Sequence, residues 1–288
     1  MLKTFFTLYL TSRNIFNMIA FPNAKINLGL SVVEKRPDGY HNIETVFMPT
    51  GLNDILEVVH NEGGDKSYEW SSTGIVIDTP PENNICIKAL ELLKADFDIE
   101  SVKIHLHKVI PFGAGLGGGS ADAAAMLVLL NEMFDLGLSQ KQLKMYAVQI
   151  GADCPFFIDN TPQYATGIGD VLNPIDINLC GYHLVVVVPD VHVSTPDAYR
   201  FVKPAQPEFK VTDVIKLPVH EWRGKLVNDF EESVFKQYPE INKLKEYLYN
   251  IGAEYASMSG SGSSVFGLFT KKPELNIDNC FVWTEEIK

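Results

Sequence analysis

The sequence PFGAGLGGGSADAAAMLVLLNEMF, residues 111–134, contains the feature that decides the fold. Five of the ten residues 111–120 are glycine, and an alanine- and leucine-rich helix pattern that stops at Gly137 follows them directly. Glycine allows backbone N–H groups to point into a turn at positive φ, and a helix N-terminus adds unpaired N–H donors. A glycine-rich turn that enters a helix is therefore suited to hold the phosphate groups of a nucleotide.

Because the chain is acidic overall, any phosphate ligand would have to be bound by a local group of N–H donors such as this turn. The chain has 288 residues, with 24 Lys and Arg against 36 Asp and Glu, and a formal net charge of −12. A negative field disfavours binding to nucleic acid or to anionic membranes, so neither is expected as a partner. With 46% hydrophobic residues, the composition is typical of a globular protein of one or two domains.

Two familiar phosphate-binding loops do not account for this segment. A Walker loop is excluded because no Gly-Lys-Ser/Thr follows the glycines. The pattern G-x-G-x-x-G is present from residue 113, but a dinucleotide site requires a second strand ending in an acidic residue about twenty positions later. Here Asp135 lies at the end of a helix pattern, and a second helix begins at a capping box of Ser139 and Gln142. The alternative is a turn that serves packing alone. Five glycines argue against it, because each glycine loses much conformational entropy on folding.

The rest of the chain mixes strand and helix patterns, which predicts an α+β fold. Residues 24–33 alternate apolar with polar or small residues, as in a half-buried strand. Further strands are predicted over residues 43–47, 54–59, 102–109 and 183–188, further helices from about residues 84 and 239, and a polar loop or hairpin over residues 61–74.

Two α+β halves are the economical division of the chain, with domains at residues 21–165 and 166–288. Residues 1–17 contain no acidic residue, and their apolar run is too short to span a bilayer. We predict that residues 1–20 are a leader or that Met18 is the true start. The four cysteines form no C-x-x-C pair, which favours reduced thiols in a cytoplasmic protein.

Several polar residues are candidates for a site, although each has an ordinary explanation when taken singly. Lys25 shares the polar face of the strand 24–33 with Asn27, and Asp153 lies in a Gly-Ala-Asp-Cys-Pro turn after a helix. Alone, they are a surface lysine and a turn aspartate. His105 and His107 share one face of a strand, but two histidines without a third ligand favour a solvated face over a metal site.

Several motifs in a fixed order resemble one enzyme family, the GHMP small-molecule kinases. They are PNAKINLGL with RPDGYH at residues 22–30 and 36–41, PFGAGLGGGSADAA at 111–124, IGADCPFF at 150–157 and MSGSGSSVFG at 258–267. The glycine-rich segment is similar to the family signature P-x-G-x-G-L-G-S-S-A-A. Within the family, PNAKINLGL, RPDGYH and IGADCPFF resemble motifs of the kinases that act on 4-diphosphocytidyl-methylerythritol, an alcohol attached to cytidine diphosphate.

The resemblance implies both a fold and a reaction. The fold would be the two-domain α+β GHMP kinase fold, with a ribosomal-S5-like N-terminal domain, a ferredoxin-like C-terminal domain and the active site in the cleft between them. The reaction would transfer a phosphoryl group from ATP, with Mg²⁺, to the 2-hydroxyl of the cytidylated alcohol, in the non-mevalonate route to isoprenoid precursors. The protein would be a monomer or a homodimer.

The resemblance also implies roles for single residues. Asp153 would be the general base that takes the proton from the 2-hydroxyl, and Lys25 would hold the carboxylate and the hydroxyl in place. Ser120 would also approach the metal. The residues expected to contact ATP are Lys108, Pro111, Phe112, Gly113, Ala114, Gly115, Leu116, Gly117, Gly118, Gly119, Ser120 and Ala121.

The substrate side of the site follows from the same resemblance. Tyr40 and Tyr199 would stack on the two faces of the cytosine, and His41 would hydrogen-bond to its edge. Asn27 and Thr195 would lie near the methylerythritol diphosphate. The acidic Mg²⁺ ligand of mevalonate-type members has no clear counterpart in this sequence.

Two alternatives remain open from the sequence. One is another GHMP kinase with a different alcohol, such as homoserine or mevalonate. The RPDGYH segment and Tyr199 argue against it, because only a substrate that carries a nucleobase explains them. The other is a nucleotide-binding regulator that has kept the fold and lost turnover. Retention of both Lys25 and Asp153 argues against it, since a pure binder has no use for a base.

Overall fold

The computed structural model describes residues 9–10, 16–63 and 66–288. Most of the predicted leader, residues 1–8 and 11–15, lies outside them, and the leader stays a prediction. The strands are β1 (Tyr9–Leu10), β2 (Phe16–Ala20), β3 (Asn23–Lys35), β4 (His41–Asn53), β5 (Ile55–His60), β6 (Tyr68–Gly74), β7 (Val102–Lys108), β8 (Gln163–Thr166), β9 (Val171–Pro174), β10 (His183–Pro189), β11 (Tyr255–Met258), β12 (Val265–Phe269) and β13 (Cys280–Glu286). The helices are α1 (Ile85–Lys94), α2 (Gly118–Met133), α3 (Gln140–Ile150), α4 (Cys154–Asp159), α5 (Thr195–Tyr199), α6 (Val211–Val214), α7 (Phe230–Gln237) and α8 (Pro239–Asn250), with short 3₁₀ turns at Pro81–Asn83 and Val219–Glu221.

The chain folds into two compact units, and neither is continuous in sequence. Unit 1 comprises Leu52–Ile110, Gly118–Asn160 and the described residues up to Ala24. Unit 2 comprises Lys25–Gly51, Pro111–Gly117 and Thr161–Lys288. Both contain helices and sheets, which confirms the α+β class. The division near residue 165 stays a prediction.

Unit 1 is a five-stranded sheet with helices packed on it. The strand order is β1-β2-β5-β7-β6, and β6 pairs with β7 in parallel. The core joins alternate residues of β5 and β7, such as Leu56 and Ile104, to the apolar faces of α1 and α2, such as Leu90 and Leu127. The prediction of a loop or hairpin over residues 61–74 is wrong for Tyr68–Gly74. Apart from Tyr68 and Trp70, the side chains of this edge strand are exposed, so its apolar alternation is too short to indicate a strand.

Unit 2 contains two four-stranded sheets, with strand orders β11-β12-β10-β13 and β3-β4-β8-β9. Val185 and Val187 of β10 pack with Phe230 of α7 and Ile241 of α8 in its core. In the described part of the chain, no helix combines the length and the apolar composition needed to cross a bilayer.

Two local expectations are corrected by the structure. Strand β3 is buried on both faces rather than one, because Lys25 and Asn27 on its polar face are 3% and 2% exposed and hydrogen-bond inside unit 2. Helix α2 begins at Gly118, so residues 118–120 form the first helical turn and not the end of the loop. Glycine is required at residue 118, since a Cβ there would lie 2.8 Å from a methyl carbon of Ile110.

Candidate active site

The glycine loop, defined here as residues 111–117, adopts the backbone that its sequence predicts. Gly113, Gly115 and Gly117 have φ values of 62°, 77° and 72°, a region that side chains other than glycine rarely adopt. The residues between them, Ala114 and Leu116, are buried. No hydrogen bond within the described part of the chain uses the backbone N–H groups of the three glycines. These donors are available to an anion, as a phosphate-binding loop requires.

The carbonyl groups of the loop, in contrast, hydrogen-bond to other residues of unit 2. The carbonyl of Gly115 accepts hydrogen bonds from Lys25 Nζ at 3.1 Å and from Ser259 Oγ at 3.0 Å. The carbonyl of Leu116 accepts one from the backbone N–H of Lys25 at 2.9 Å. Because these carbonyls are used inside the protein, the loop is held in one conformation before any ligand binds.

A second loop of small residues, 259–264, packs directly against the glycine loop. A Cβ at Gly115 would overlap the carbonyl oxygen of Ser259, and a Cβ at Gly260 would lie 3.2 Å from the Cα of Gly115. The Ser259 hydroxyl also accepts a hydrogen bond from the backbone N–H of Asn27 at 3.2 Å. The small residues of both loops are therefore needed for their close approach.

Lys25 lies at the centre of a buried polar network in unit 2. Its Nζ donates to Asn27 Oδ1 at 2.6 Å and lies 5.0 Å from the centre of the Phe47 ring. Asn27 Nδ2 donates in turn to Thr45 Oγ1 at 3.0 Å, and the Thr45 hydroxyl donates to the carbonyl of Gly29. The strand alternation correctly predicted that Lys25 and Asn27 share a face, and the network fixes both side chains.

Asp153 lies in unit 1, at the residue that precedes α4. Its half-buried side chain does not cap that helix, although its backbone is helical. The next residue, Cys154, is buried and its thiol hydrogen-bonds with the hydroxyl of Ser120 in the first turn of α2. Burial raises the pKa of the Cys154 thiol to about 11, so it stays protonated at neutral pH. Lys25 and Asp153 belong to different units, and their predicted cooperation stays a prediction.

Lys108 is the last residue of β7 and is fully buried in unit 1. Its ammonium forms ion pairs with Asp54 and, at 3.0 Å, with Asp122 of α2. Asp54 Oδ1 also accepts the backbone N–H groups of Val109 and Ile110, at 2.6 and 2.9 Å. Burial raises the pKa of Asp122 well above its ordinary value. The predicted contact of Lys108 with a nucleotide stays a prediction.

The predicted base-binding residues lie in unit 2, and two of them, His41 and Tyr199, form an aromatic group with Phe230. The rings of His41 and Tyr199 stack at 4.6 Å between centres, and Phe230 meets the Tyr199 ring edge-on at 4.7 Å. Burial and the charge of Lys35 lower the pKa of His41, so its imidazole is neutral near pH 7. Tyr40 is 61% exposed, at the end of the turn that begins at residue 36. A ring face and a neutral imidazole are what a nucleobase requires.

Two other candidates have simple surroundings. Thr195 is the exposed first residue of α5, after the capping residue Ser194. His105 hydrogen-bonds to the hydroxyls of Ser71 and Thr73, and His107 to that of Thr73. Within the described ranges, no group of three or more His, Cys, Asp or Glu side chains could hold a metal ion.

Sequence reasoning missed four polar residues of these networks, namely Thr45, Ser259, Asp54 and Asp122. Each is buried and hydrogen-bonds to a residue at least fourteen positions away. The sequence carries one weak signal, because an aspartate inside an apolar helix such as α2 needs a buried partner.

Comparisons with known proteins identify the family. A family model described as the GHMP kinases N terminal domain matches residues 84–160, and one described as GHMP kinases C terminal matches residues 215–277. A Parabacteroides distasonis protein named 4-diphosphocytidyl-2-C-methyl-D-erythritol kinase is 54% identical over 274 residues, which cover 94% of this chain and 100% of that protein. The chain belongs to this family of GHMP kinases. It is therefore a small-molecule kinase that uses ATP.

Other members of the family agree with this assignment. A Cytophaga hutchinsonii protein of the same name is 48% identical over 270 residues, covering 91% of this chain and 98% of that protein. A crystal structure of 4-(cytidine 5'-diphospho)-2C-methyl-D-erythritol kinase matches with a TM-score of 0.74 and 34% identity over 87% of this chain and 90% of that chain. The mevalonate kinase of Methanococcus jannaschii matches with a TM-score of 0.69 but 14% identity over 94% of this chain and 99% of that chain, which shows the GHMP kinase fold alone.

Proposed function

We propose that this kinase transfers the γ-phosphoryl group of ATP to the 2-hydroxyl of 4-diphosphocytidyl-2-C-methyl-D-erythritol, giving the 2-phosphate and ADP. The observation that carries the phosphoryl transfer is the glycine loop: no hydrogen bond within the described residues uses the backbone N–H groups of Gly113, Gly115 and Gly117, while the carbonyl of Gly115 accepts two hydrogen bonds. The substrate follows from the relatives, which carry this kinase name at about half identity over most of the chain. We assign the reaction to the cytoplasm, where the four unpaired cysteines would stay reduced.

Two residues would do the chemistry at the alcohol. Asp153 would accept the proton of the 2-hydroxyl as the oxygen attacks the γ-phosphorus, and the bond from that phosphorus to the bridging oxygen of ADP would break. Lys25, held by Asn27 and Gly115, would hold the carboxylate and the hydroxyl in place and stabilise the negative charge of the transferring group. Positioning by the glycine loop would supply much of the remaining acceleration.

Magnesium is the ion expected with ATP, and the donors present fit it in a limited way. Mg²⁺ prefers oxygen ligands and in kinases takes several of them from the phosphates themselves. The Ser120 hydroxyl, in the first turn of α2, is the protein oxygen that we assign to it. When bound, the ion would neutralise the charge on the phosphate oxygens.

The aromatic group of unit 2 would hold the cytosine. The turn that begins at Arg36 ends at Tyr40, whose backbone N–H donates to Asp38 Oδ1 at 3.1 Å, so the Tyr40 ring is presented on an ordered backbone. Tyr199 and His41 offer a stacked pair of rings in the same unit. A neutral imidazole can donate one hydrogen bond and accept another, which suits the edge of a base.

Replacing Gly115 by alanine is expected to weaken ATP binding by at least about tenfold, because the left-handed backbone costs roughly 1–2 kcal/mol and the Cβ overlaps the Ser259 carbonyl. Titration calorimetry with MgATP measures the effect. Gly224→Ala is the matched control, since its φ of 79° carries the same strain and no atom lies within 4 Å of its Cβ. Equal ATP affinity in both variants would contradict the proposal that the glycine loop binds the phosphates of ATP.

Replacing Tyr40 by alanine is expected to raise KM for the cytidylated alcohol about 5- to 150-fold, because one stacking face is worth roughly 1–3 kcal/mol. The exposed ring contributes little to folding, so KM for ATP and the melting temperature should barely change. Steady-state kinetics with each substrate varied in turn provide the test. Tyr40→Phe keeps the ring face and should behave like the wild type. An unchanged KM for the cytidylated alcohol in Tyr40→Ala would show that Tyr40 does not bind the base.

The substrate is tested by ADP release in the presence of MgATP. The purified protein is given 4-diphosphocytidyl-2-C-methyl-D-erythritol, homoserine or mevalonate in parallel. Turnover on the cytidylated alcohol alone is the expected result. Turnover on homoserine or mevalonate would agree with kinase activity but contradict the proposed substrate. ATP binding without turnover on any of the three alcohols would favour a nucleotide-binding protein that has lost its activity.

A further inference from the structure

A buried charge cluster in unit 1 connects the two ends of the glycine loop. The cluster consists of Lys108, Asp54 and Asp122, whose side chains are 0%, 0% and 2% exposed. Lys108 lies two residues before Ile110, after which the glycine loop begins, and Asp122 lies in α2, which follows the loop directly. The Lys108 ammonium therefore bridges the strand that enters the loop and the helix that leaves it.

The entry to the loop is held most tightly. Asp54 lies between β4 and β5, directly before a strand that pairs with β7, and not in the loop itself. Its Oδ1 accepts the consecutive N–H groups of Val109 and Ile110, and its Oδ2 pairs with Lys108. A single carboxylate thus fixes the last three residues before the loop.

The exit from the loop rests on the same lysine. Lys108 Nζ pairs with Asp122 in the second turn of α2, and it lies so close to Gly118 that a Cβ there would be 3.0 Å away. The N-terminus of α2, whose N–H groups are part of the anion cradle, therefore lies directly against the cluster. Any shift of the lysine would shift this end of the cradle.

Stability alone is a weak reason for such a cluster. Removing charges from water costs free energy that their attraction only partly returns, and apolar replacements of buried ion pairs are often as stable. What charges supply and apolar groups do not is a defined geometry, because hydrogen bonds are directional.

We propose that Lys108 is a positioning residue that, together with Asp54 and Asp122, holds the two ends of the glycine loop at the spacing required to bind the phosphates of ATP. This role replaces the direct contact between Lys108 and the nucleotide that the family resemblance implies: the ammonium, which is 0% exposed, acts through the backbone of the loop. The inference rests on the proposed function only for the identity of the ligand as ATP.

The test compares MgATP affinity, measured by titration calorimetry, among variants shown by circular dichroism to be folded. Lys108→Met is expected to weaken binding about 10- to 100-fold, the order of loss that a misplacement of about 1 Å causes in catalysis. Lys103→Met is the matched control on the same strand, with a side chain that is 51% exposed and a 3.6 Å ion pair to Glu69. Its affinity should stay within about twofold of the wild type.

Asp122 variants separate positioning from direct contact and decide the outcome if Lys108→Met does not fold. Asp122→Ala should weaken MgATP binding by a factor similar to Lys108→Met, whereas Asp122→Asn keeps an oxygen acceptor for Lys108 and should largely restore it. In the variants that bind more weakly, KM for the alcohol should change much less than KM for ATP. Unchanged MgATP affinity in a folded Asp122→Ala would overturn the proposal, and so would wild-type protein that does not bind MgATP. Wild-type protein that binds MgATP but leaves the cytidylated alcohol unmodified would overturn the proposed function alone.

Discussion

Replacing Asp153 by asparagine is expected to lower kcat about 10²- to 10⁴-fold, the usual contribution of a positioned general base. The amide keeps the size of the side chain and removes its ability to take the proton of the 2-hydroxyl. Because Asp153 makes no capping hydrogen bond to α4, the substitution should leave that helix intact. Single-turnover kinetics with saturating ATP and alcohol measure the loss, and calorimetry should find ATP affinity nearly unchanged.

The matched control for this variant is Asp159→Asn, at the other end of the same short helix. Asp159 pairs with the partly exposed Lys144, and losing such a pair should cost at most about 1 kcal/mol of stability. Its kcat should stay within about twofold of the wild type. If Asp153→Asn turned over as fast as Asp159→Asn, Asp153 would not be the base, and the proposed mechanism would fail at its first step.

Replacing Lys25 by methionine is expected to lower kcat about 10²- to 10³-fold, the typical effect of removing one fixed donor from a charged transition state. Methionine is close to lysine in length, but it removes the ammonium that lies 5.0 Å from the centre of the Phe47 ring. The glycine loop should stay in place, because the Ser259 hydroxyl still donates to the carbonyl of Gly115. ATP affinity should therefore fall much less than kcat.

The contrast between binding and turnover tests the role of Lys25. Lys216→Met is a control in the same unit, since that side chain is 70% exposed and pairs weakly with Asp213 at 3.6 Å. It should match the wild type in kcat and in ATP affinity. A Lys25→Met variant that lost ATP binding and kept kcat at saturating ATP would make Lys25 a residue of the nucleotide site and not of the chemical step.

Much of the site could be predicted because its signals are local. Glycines at alternate positions of 113–117 require positive φ, and the structure has it at all three. Strict alternation in residues 24–33 put Lys25 and Asn27 on one face of a strand, where they hydrogen-bond. Ser139 and Gln142 form the predicted capping box. Each of these features depends on neighbours within a few residues, so the sequence is enough to predict it.

Other features could not be predicted because they depend on distant residues. The Lys108 cluster joins positions 54, 108 and 122, and no local pattern links a strand-end lysine to those two aspartates. Burial of both faces of β3 follows from its contacts with Thr45 and with Ser259, which is 232 residues away from Asn27. Strand β6 is an edge strand with mostly exposed side chains, so the apolar alternation that marks a strand is limited to Tyr68 and Trp70.

The most direct test of the proposed reaction is the structure of its product. The purified protein would be mixed with MgATP and 4-diphosphocytidyl-2-C-methyl-D-erythritol, and the mixture followed by ³¹P NMR. We predict ADP and, in equal amount, a new phosphomonoester on the 2-hydroxyl, with the diphosphate bridge intact. ADP without a new phosphomonoester, or a phosphate on a different hydroxyl, would contradict the proposal.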